Sequence, residues 1–359
     1  MQARMMITAV AAMLLLAGTV QATDVFNMGS GLTSLSFVTV GDPGNVPDVN
    51  LDAYGNPLGS VGYTCQMGQY DVTAAQYCQF LNAVATQSDP YGLYNSGMAG
   101  GPGSARCGIS QTGNPGNYSY NTTSSGYSVN NGNFPVNYVS WGDAARFCNW
   151  LTNGQPTTGV ENLTTTENGS YYLNGATSST ALMVVARNPN AKYVIPTVNE
   201  WYKAAYYDPT LNGGTGGYWQ YTTRSNTPPS NNLSAVGTNN ANYFNGSYTD
   251  PTNKLTLVGA LESSPGSYGT YDMGGDVYQW NETNISGGYR GVLGGYFYSD
   301  DYNLKATYWD YDSPTVQDYY LGFRVAEVGP VPEPLTITAV GMGIAGLGGY
   351  IRRRRMAVK

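Results

Sequence analysis

Histidine is absent from all 359 residues of the chain. Histidine is the usual general base of serine and cysteine hydrolases and a common ligand of zinc. Its absence excludes a Ser-His-Asp triad, a Cys-His pair and a histidine-bound zinc ion within this chain. Acid–base chemistry is left to carboxylates, tyrosines and lysines.

Charged side chains are scarce too, because Lys, Arg, Asp and Glu together make up only 11% of the chain. Six of the 16 basic residues stand at the two ends (Arg4, the arginines at 352–355 and Lys359), where no acidic residue occurs. The part between them has 10 basic and 23 acidic residues, a net charge of −13. Such a surface repels phosphate groups, so nucleic acid and anionic lipid are not expected as partners. Tyr (32) and Gly (47) are abundant instead, which is typical of a loop-rich extracellular domain.

A short apolar run lies near the start of the chain. Arg4 precedes the apolar residues 7–20, and small residues follow up to Ala22. This order predicts a secretory signal peptide over residues 1–22. The alternative is an N-terminal anchor or a core helix, but the run is shorter than the ~20 apolar residues that span a membrane.

A second apolar run lies near the other end, at residues 335–351, between Val331-Pro332-Glu333-Pro334 and four arginines. The arginines fit a stop on the cytoplasmic side of a membrane. This arrangement resembles the PEP-CTERM sorting signal of bacteria that build extracellular polysaccharide. The resemblance implies a sorting tail at 331–359 with a transmembrane segment, and processing by an exosortase-type transpeptidase. We therefore expect an exported protein of the cell envelope or extracellular matrix, transiently anchored by its C-terminal segment.

Three segments share a helix-start pattern, in which a hydroxyl residue is followed three positions later by a side chain that can accept a hydrogen bond. Apolar residues then recur at helical spacing, which predicts short amphipathic helices of two to three turns. The three starts are Thr73 with Gln76, Ser140 with Asp143, and Thr197 with Glu200.

The four cysteines show no C-x-x-C spacing, so they do not match a metal knuckle or a redox motif. An even number of cysteines in an exported protein favours disulfide bonds. Cys78 and Cys148 occupy the same place on the apolar stripes of two predicted helices, so they could face each other and bond. In that case Cys65 would pair with Cys107, whereas the alternative is that the thiols are buried and free.

The segments between the helices are rich in Gly, Asn, Ser, Thr and Tyr and predict long connections, above all at 86–133 and 152–190. Long irregular loops in a compact domain usually carry function or a stabilising metal or disulfide. Strand-like runs are predicted at 36–40, 192–195, 289–297 and 322–327.

Five sequence blocks follow one another in an order that resembles the formylglycine-generating enzyme family, also called sulfatase-modifying factors. The resemblance covers residues 36–327, within an expected domain at 23–330. It implies an α+β, C-type-lectin-like fold that is irregular and loop-rich, with small twisted sheets and a few short helices. The blocks are 70–82, 135–145, 195–201, 269–280, and 294–295 with 321–326.

Active members of that family oxidise a cysteine of a sulfatase to formylglycine, and two cysteines hold the copper that activates oxygen. Ser299 and Leu304 stand at the positions of those cysteines, and no cysteine follows Cys148. A hydroxyl and an alkyl group are not ligands for Cu(I). Neither copper binding nor formylglycine generation is therefore expected.

The resemblance also implies two calcium sites built from carboxylate, amide and carbonyl oxygens, which suit Ca²⁺. Gln279 stands where the family often has glutamate, and Gly259 has no side-chain ligand to offer the second site, so weak binding is expected. The alternative is that Asp272 and Asp276 cap turns. The positions that match are Asp272, Gly275, Val277 and Gln279 for the first site, and Asn242, Tyr243 and Leu261 for the second.

The segment after the Gly-Gly pair is aromatic and acidic, which favours a binding groove in a monomeric surface or matrix protein. Aromatic faces stack on sugar rings and carboxylates accept hydroxyl hydrogen bonds, so extracellular polysaccharide is the expected ligand. The alternative is that these tyrosines belong to the core and strands. The candidate groove residues are Tyr296, Tyr298, Asp300, Asp301 and Tyr302.

An enzymatic alternative is a paired-carboxylate hydrolase that uses Asp300, Asp301 and Asp310. Adjacent residues of a strand point to opposite faces, so Asp300 and Asp301 would be a poor pair. The sequence therefore favours a non-catalytic binding module, with formylglycine generation or hydrolysis as the alternative.

Overall fold

The computed structural model describes residues 26, 28–100, 103–122, 131–234, 236–285 and 287–329. The predicted signal peptide (1–22) and the predicted sorting tail (331–359) lie outside these ranges. Within them, no helix combines the length and the apolar character needed to cross a bilayer.

The described residues form an α+β fold of short helices and small sheets. The helices are α1 (Ala74–Val84), α2 (Trp141–Thr152), α3 (Ser179–Met183), α4 (Val198–Tyr206) and the kinked turn α5 (Leu211–Gly214). The strands are β1 (Phe37–Val40), β2 (Cys65–Gly68), β3 (Ser110–Asn114), β4 (Asn117–Asn121), β5 (Tyr193–Val194), β6 (Tyr207–Asp208), β7 (Gly217–Tyr218), β8 (Tyr278–Ile285), β9 (Tyr289–Leu293), β10 (Asp310–Asp312), β11 (Leu321–Gly322) and β12 (Ala326–Glu327).

All three predicted helix starts are confirmed as capping boxes, at the beginnings of α1, α2 and α4. At the start of α2 the Asp143 amide donates to Ser140 Oγ at 3.1 Å, and the Ser140 amide donates to the Asp143 carboxylate at 2.7 Å. These two bonds satisfy backbone donors that a helix leaves without an internal partner.

Two four-stranded sheets hold the irregular chain together. The first has the order β1-β2-β12-β5, and the second has the order β10-β9-β8-β11. Every pairing is antiparallel except that of β11 with β8. β3 with β4 and β6 with β7 form two-stranded ribbons. The last strands of the domain thus return to pair with β2 and β8, which closes the fold.

Aromatic side chains fill the core. Phe147 of α2 contacts Tyr77 and Phe80 of α1, and it meets Phe323 edge-on with ring centroids 5.3 Å apart. Large rings bury much apolar area per residue, which suits a chain with little regular structure. The fully buried tryptophans are Trp141, Trp150, Trp201 and Trp280.

Arg324 ties the late part of the chain to the core. Its guanidinium donates to the carbonyl of Gly68 at 2.7 Å and to that of Tyr271 at 2.6 Å, and it lies 3.4 Å from Asp71. The predicted strand at 322–327 is interrupted at this residue and forms the separate strands β11 and β12.

The four cysteines are buried free thiols. Of the two alternatives that the sequence leaves open, the structure has the buried free thiols and not the pairs Cys78 with Cys148 and Cys65 with Cys107. Burial raises the pKa of Cys65 and of Cys78 to about 12 and that of Cys107 to about 11. Cys78 and Cys148 do lie on the buried sides of α1 and α2, as predicted.

Candidate functional site

The predicted strand at 289–297 stops at Leu293, because a Gly-Gly turn follows. Gly294 and Gly295 have φ angles of 98° and 75°, which side chains other than glycine rarely adopt. A Cβ at Gly294 would also lie 2.6 Å from the carbonyl oxygen of Met273. The turn redirects the chain, so Tyr296 and the residues after it do not continue the alternation of a strand.

Ser299 and Leu304 lie together beside this turn. A Cβ at Gly295 would be 2.8 Å from Leu304 Cδ1 and 3.4 Å from Ser299 Oγ. Both side chains are buried, and Ser299 Oγ accepts a hydrogen bond from the Tyr296 amide at 3.0 Å. The two positions that the resemblance equates with the copper-binding cysteines are thus close in space.

The donor set at this place does not fit copper. Ser299 supplies one hydroxyl that is already engaged, and Leu304 fills the neighbouring space with methyl groups. Cu(I) requires soft ligands such as thiolates. We therefore derive no reaction step through copper in this chain.

A network of hydroxyl and carboxylate groups lies next to Ser299. Tyr308 donates to the carboxylate of Asp310 at 2.9 Å, and Tyr278 reaches the same oxygen at 3.4 Å. Burial, followed by the contact with Tyr308, raises the pKa of Tyr278. Its phenol consequently stays protonated and serves as a hydrogen-bond donor.

The predicted groove tyrosines divide into two groups. Tyr296 is half-buried and contacts the rings of Tyr278, Tyr319 and Tyr320, so it belongs to the core. Tyr298 and Tyr302 are 51% and 54% exposed. We call these two residues the tyrosine pair.

Neighbouring aromatic rings hold each member of the tyrosine pair. Tyr298 stacks on Tyr248 and meets Phe244 edge-on at a centroid distance of 5.2 Å. Tyr302 meets Tyr308 edge-on at 5.5 Å, and the Lys305 ammonium lies 5.4 Å from its ring centroid. The rings are therefore held in place while much of their surface faces solvent.

Asp301 is the first residue of a 3₁₀ turn, Asp301–Leu304, and Asp300 directly precedes it, so neither aspartate of the candidate groove lies in a strand. Asp300 caps this turn by accepting from the Tyr302 amide at 3.1 Å, and its side chain is exposed. Asp301 accepts from the phenol of Tyr221 at 2.9 Å and lies 3.8 Å from the Lys305 ammonium. Each carboxylate thus has its own local partners, an arrangement unlike the facing carboxyl groups of a glycosidase.

Gln279 is poorly suited to the first candidate calcium site. Its side-chain oxygen accepts from Trp201 Nε1 at 2.6 Å and from Arg324 Nε at 3.2 Å. Its amide nitrogen donates to the carbonyl of Asp272 at 2.7 Å, so this carbonyl too is engaged. Gln279 therefore serves as a hydrogen-bonding hub in the core, and the Asp272 carboxylate and the carbonyls of Gly275 and Val277 are the oxygens left for a cation.

The charges around that site still favour a cation. Asp71 and Asp272 both lie near the guanidinium of Arg324, and Asp276 lies near these two carboxyl groups. Both carboxylate oxygens of Asp71 are buried without a hydrogen-bond partner. Burial raises the pKa of Asp71 to about 8 and that of Asp272 to about 6. A divalent cation would favour the ionised forms of these buried carboxyl groups.

The second candidate site contains an unpartnered oxygen. Asn242 is 3% exposed, its amide nitrogen donates to the Lys254 carbonyl at 2.9 Å, and its side-chain oxygen has no hydrogen-bond partner. The carbonyl of Tyr243 accepts from Thr249 at 3.3 Å, and that of Leu261 accepts from an amide at 2.9 Å. Each carbonyl has a second lone pair. These oxygens fit the ligand chemistry of Ca²⁺.

The two candidate calcium sites are joined through the backbone. Asn242 and Gly275 form a parallel bridge, and a Cβ at Gly275 would lie 2.1 Å from the Asn242 carbonyl oxygen. Among the described residues, no three His, Cys, Asp or Glu side chains are arranged to hold one metal. Calcium would therefore rely on amide and carbonyl oxygens at the second site, and on carbonyl oxygens with the Asp272 carboxylate at the first.

Sequence reasoning missed the largest buried ion-pair network among the described residues. Arg187 makes two bonds of 2.9 Å to Glu200 and one of 2.8 Å to Glu282. Tyr63 donates to Glu200 as well. The helix cap at Glu200 was visible in the sequence, but its partner Arg187 lies in a segment that predicted only a loop.

The comparisons with known proteins agree with this architecture. The family described as sulfatase-modifying factor enzyme 1-like domain matches residues 62–328. The solved structure of CarF is similar at 20% identity and a TM-score of 0.50, over 82% of this chain and 98% of CarF. That likeness shows a shared fold. No curated protein matches the sequence.

Two further solved structures show weaker likeness. Treponema denticola variable protein 1 has 16% identity and a TM-score of 0.46, over 84% of this chain and 97% of its own. PvdO from Pseudomonas aeruginosa has 15% identity and a TM-score of 0.42, over 86% of this chain and 97% of its own.

Proposed function

Because the chain belongs to the family of sulfatase-modifying factor enzyme 1-like domains, we propose that it uses this fold for binding and not for catalysis, with extracellular polysaccharide as ligand. The observation that carries the proposal is the replacement of a thiol pair by Ser299 and Leu304, next to the exposed tyrosine pair. Chemistry is lost at that position, while an aromatic surface remains beside it.

The tyrosine pair and its surroundings suit a sugar ligand. An aromatic ring offers a large amphipathic face whose ordering costs little conformational entropy, since few side-chain torsions are fixed. The exposed carboxylate of Asp300 can accept hydrogen bonds from sugar hydroxyls. The surplus of negative charge disfavours anionic ligands, so a neutral polysaccharide is the best match.

The proposed setting is the cell envelope or extracellular matrix. The signal-like residues 1–22 and the PEP-CTERM-like residues 331–359 support export, transient anchoring and processing by an exosortase-type enzyme. The mature protein would be a monomer that binds extracellular calcium weakly at Asp272 and Asn242. Calcium there would order the loops that flank Gly275.

The enzymatic alternative is formylglycine generation or carboxylate-based hydrolysis. The first lacks a copper-binding thiol at residue 299 or 304, and the second lacks a pair of facing carboxylates at Asp300 and Asp301. No specific contact favours either reaction over binding.

A two-part experiment on the purified full-length chain tests this proposal. The first part incubates the copper-treated protein with a sulfatase-motif cysteine peptide and follows aldehyde formation by mass spectrometry. The second part screens the same protein for retention on immobilised neutral and acidic polysaccharides in calcium. We expect no aldehyde and selective retention on a neutral polysaccharide. Aldehyde formation, or a folded protein that no polysaccharide retains, would overturn the proposal.

A further inference from the structure

Two acidic residues from distant parts of the sequence meet between neighbouring loops. Asp89 lies in the loop after α1, and Glu161 lies in the loop after α2. Backbone hydrogen bonds join the second loop to the first and to the last turn of α1, from the Gln87 amide to the Gly159 carbonyl at 3.0 Å and from the Gly159 amide to the Ala83 carbonyl at 2.8 Å. The two carboxyl groups are within hydrogen-bond reach of each other.

Glu161 is the unusual member of this pair. Its side chain is only 8% exposed, and both carboxylate oxygens are buried without a hydrogen-bond donor. A buried ionised carboxylate without a partner is costly, so native structures pair such groups or use them as metal ligands. Burial, with Asp89 as the next contribution, raises the pKa of Glu161 to about 9.

Two backbone amides hold the Asp89 side chain in place. One of its oxygens accepts the amide of Leu93 at 2.7 Å, and the other accepts the amide of Tyr94 at 2.9 Å. Each oxygen keeps lone pairs that remain available to a further partner. Two ionised carboxylates cannot hydrogen-bond to each other, whereas a cation between them would interact with both.

Within the part of the chain that the structure describes, the guanidinium that acts on Glu161 is that of Arg146, and its hydrogen bonds go to other groups. Arg146 binds Glu167 through two bonds of 2.7 and 3.1 Å, and it donates to the Ala176 carbonyl at 3.0 Å. The ring of Tyr91 covers it at 4.3 Å. Arg146 and Glu167 neutralise each other, which leaves the two charges of Asp89 and Glu161 without a balancing cation.

We propose that Asp89 and Glu161 together bind a divalent cation and that this cation joins the two loops. The cation is Ca²⁺, because carboxylate oxygens are hard ligands, which Ca²⁺ prefers. Two carboxylates match the charge of one Ca²⁺, and water or backbone carbonyls can complete its coordination. Asp89 is half-buried, so the ion has access from solvent. The site shares no residue with the candidate sites at Asn242 and Asp272, and it goes beyond the proposed binding of polysaccharide.

The proposed calcium ion would cross-link the two loops, which no disulfide bond does in this structure. The thiols are free, and the loops after α1 and α2 are long and largely without regular structure. A dissociation constant of about 10⁻⁴–10⁻³ M, as in other extracellular modules, would keep calcium bound between the loops outside the cell.

Equilibrium dialysis of the full-length chain against calcium, after chelation, counts the bound ions in each variant. The test variants are Glu161→Gln and Asp89→Asn, and the control is Glu262→Gln, which changes an exposed carboxylate. We expect each test variant to bind one ion fewer than the wild type and the control. Equal numbers of ions in Glu161→Gln and wild type would overturn the proposal.

A second readout localises the ion and guards against misfolded variants. Hydrogen exchange at 86–94 and 157–165 should slow when calcium is added to the wild type, and this effect should be absent in Glu161→Gln. In chelator, Glu161→Gln should melt at or above the temperature of the wild type, because it removes an unpaired buried charge. Calcium-independent exchange in the wild type would mean that the carboxyl groups share a proton, which contradicts the proposal.

Discussion

The rings of Tyr298 and Tyr248 stack, with centroids 5.8 Å apart and planes inclined by 27°. The Lys254 ammonium lies 3.8 Å from the centroid of the Tyr248 ring. Tyr298 is thereby held from one side, while 51% of its surface is exposed. A ring that is ordered before the ligand arrives loses little further entropy on binding. This arrangement supports the proposed binding role of the segment beside the Gly-Gly turn.

Replacing Ser299 and Leu304 together by cysteine should create a copper site. The two side chains lie around the same point next to Gly295, so two thiolates there could bind Cu(I) jointly. Competition with a colorimetric Cu(I) chelator should show binding by Ser299→Cys/Leu304→Cys and not by Ser299→Ala/Leu304→Ala. Loss of the buried leucine should cost about 2 kcal/mol or more in either variant. Equal copper affinity of the two variants would mean that residues 299 and 304 are not close enough to bind one copper ion together.

Arg187→Met should strongly destabilise the domain. Arg187 pairs with Glu200, whose side chain is 1% exposed, and with Glu282, whose side chain is 12% exposed. Removing the guanidinium leaves two buried carboxylates without their partner, which should lower the free energy of unfolding by about 3–5 kcal/mol.

Urea denaturation measures this effect, and Lys192→Met is the matched control. Lys192 pairs with Glu327 at 3.7 Å, but its side chain is 54% exposed, so its loss should change the free energy by less than about 1 kcal/mol. Similar losses in the two variants would contradict the assigned difference in burial.

The four thiols should be free and unreactive in the folded protein. Burial raises the pKa of all four cysteines, to about 11 for Cys107 and to about 12 for Cys65 and Cys78, so thiolate is scarce at about pH 8. Iodoacetamide should modify all four cysteines in denaturant and none before unfolding, as read by intact mass. An unmodified mass that is lower by two hydrogens for each bond would reveal disulfides and contradict the structure.

Asn242→Ala should weaken the calcium response of the protein. The side-chain oxygen of Asn242 is a buried acceptor without a donor, which a cation would satisfy. At a calcium concentration about ten times the dissociation constant, one site stabilises the fold by about 1.4 kcal/mol. Thermal melts with calcium and with chelator should show a stabilisation by calcium that is smaller by this amount in Asn242→Ala than in Asn245→Ala, which changes an exposed asparagine. An equal increment in both variants would exclude Asn242 as a ligand.

Local features of the fold were predictable from the sequence. Each capping box joins residues three positions apart, such as Thr73 and Gln76, so the pattern is complete within a short window. Five ordered blocks that resemble the formylglycine-generating enzyme family predicted the family and the α+β architecture. Both are confirmed.

Long-range pairings were not predictable from such windows. β12 lies between β2 and β5 because Ala326 pairs with Met67 and with Val194, and no local pattern encodes that choice. The facing carboxyl groups of Asp89 and Glu161 were likewise invisible, since each residue looks like an ordinary acidic loop residue. Their burial arises only when two loops pack against each other.

Only some of the residues predicted for the candidate groove are exposed, for a similar reason. A continuous strand through 289–297 would have placed Tyr296 and Tyr298 on the same face. The positive φ angles of Gly294 and Gly295 end the strand first, so Tyr296 turns into the core and Tyr298 remains at the surface. The glycine pair was visible in the sequence, but its conformation was not.

The most direct test of the binding role is titration of the protein with the neutral polysaccharide that retains it, for Tyr298→Ala and for Tyr172→Ala. Tyr172 is 55% exposed and lies outside the tyrosine pair, so it controls for the loss of an exposed aromatic ring. Aromatic contacts contribute about 0.5–1.5 kcal/mol, so the account predicts that Tyr298→Ala weakens binding by about two- to tenfold and that Tyr172→Ala has no effect. Unchanged affinity in Tyr298→Ala, or an equal loss in Tyr172→Ala, would contradict it.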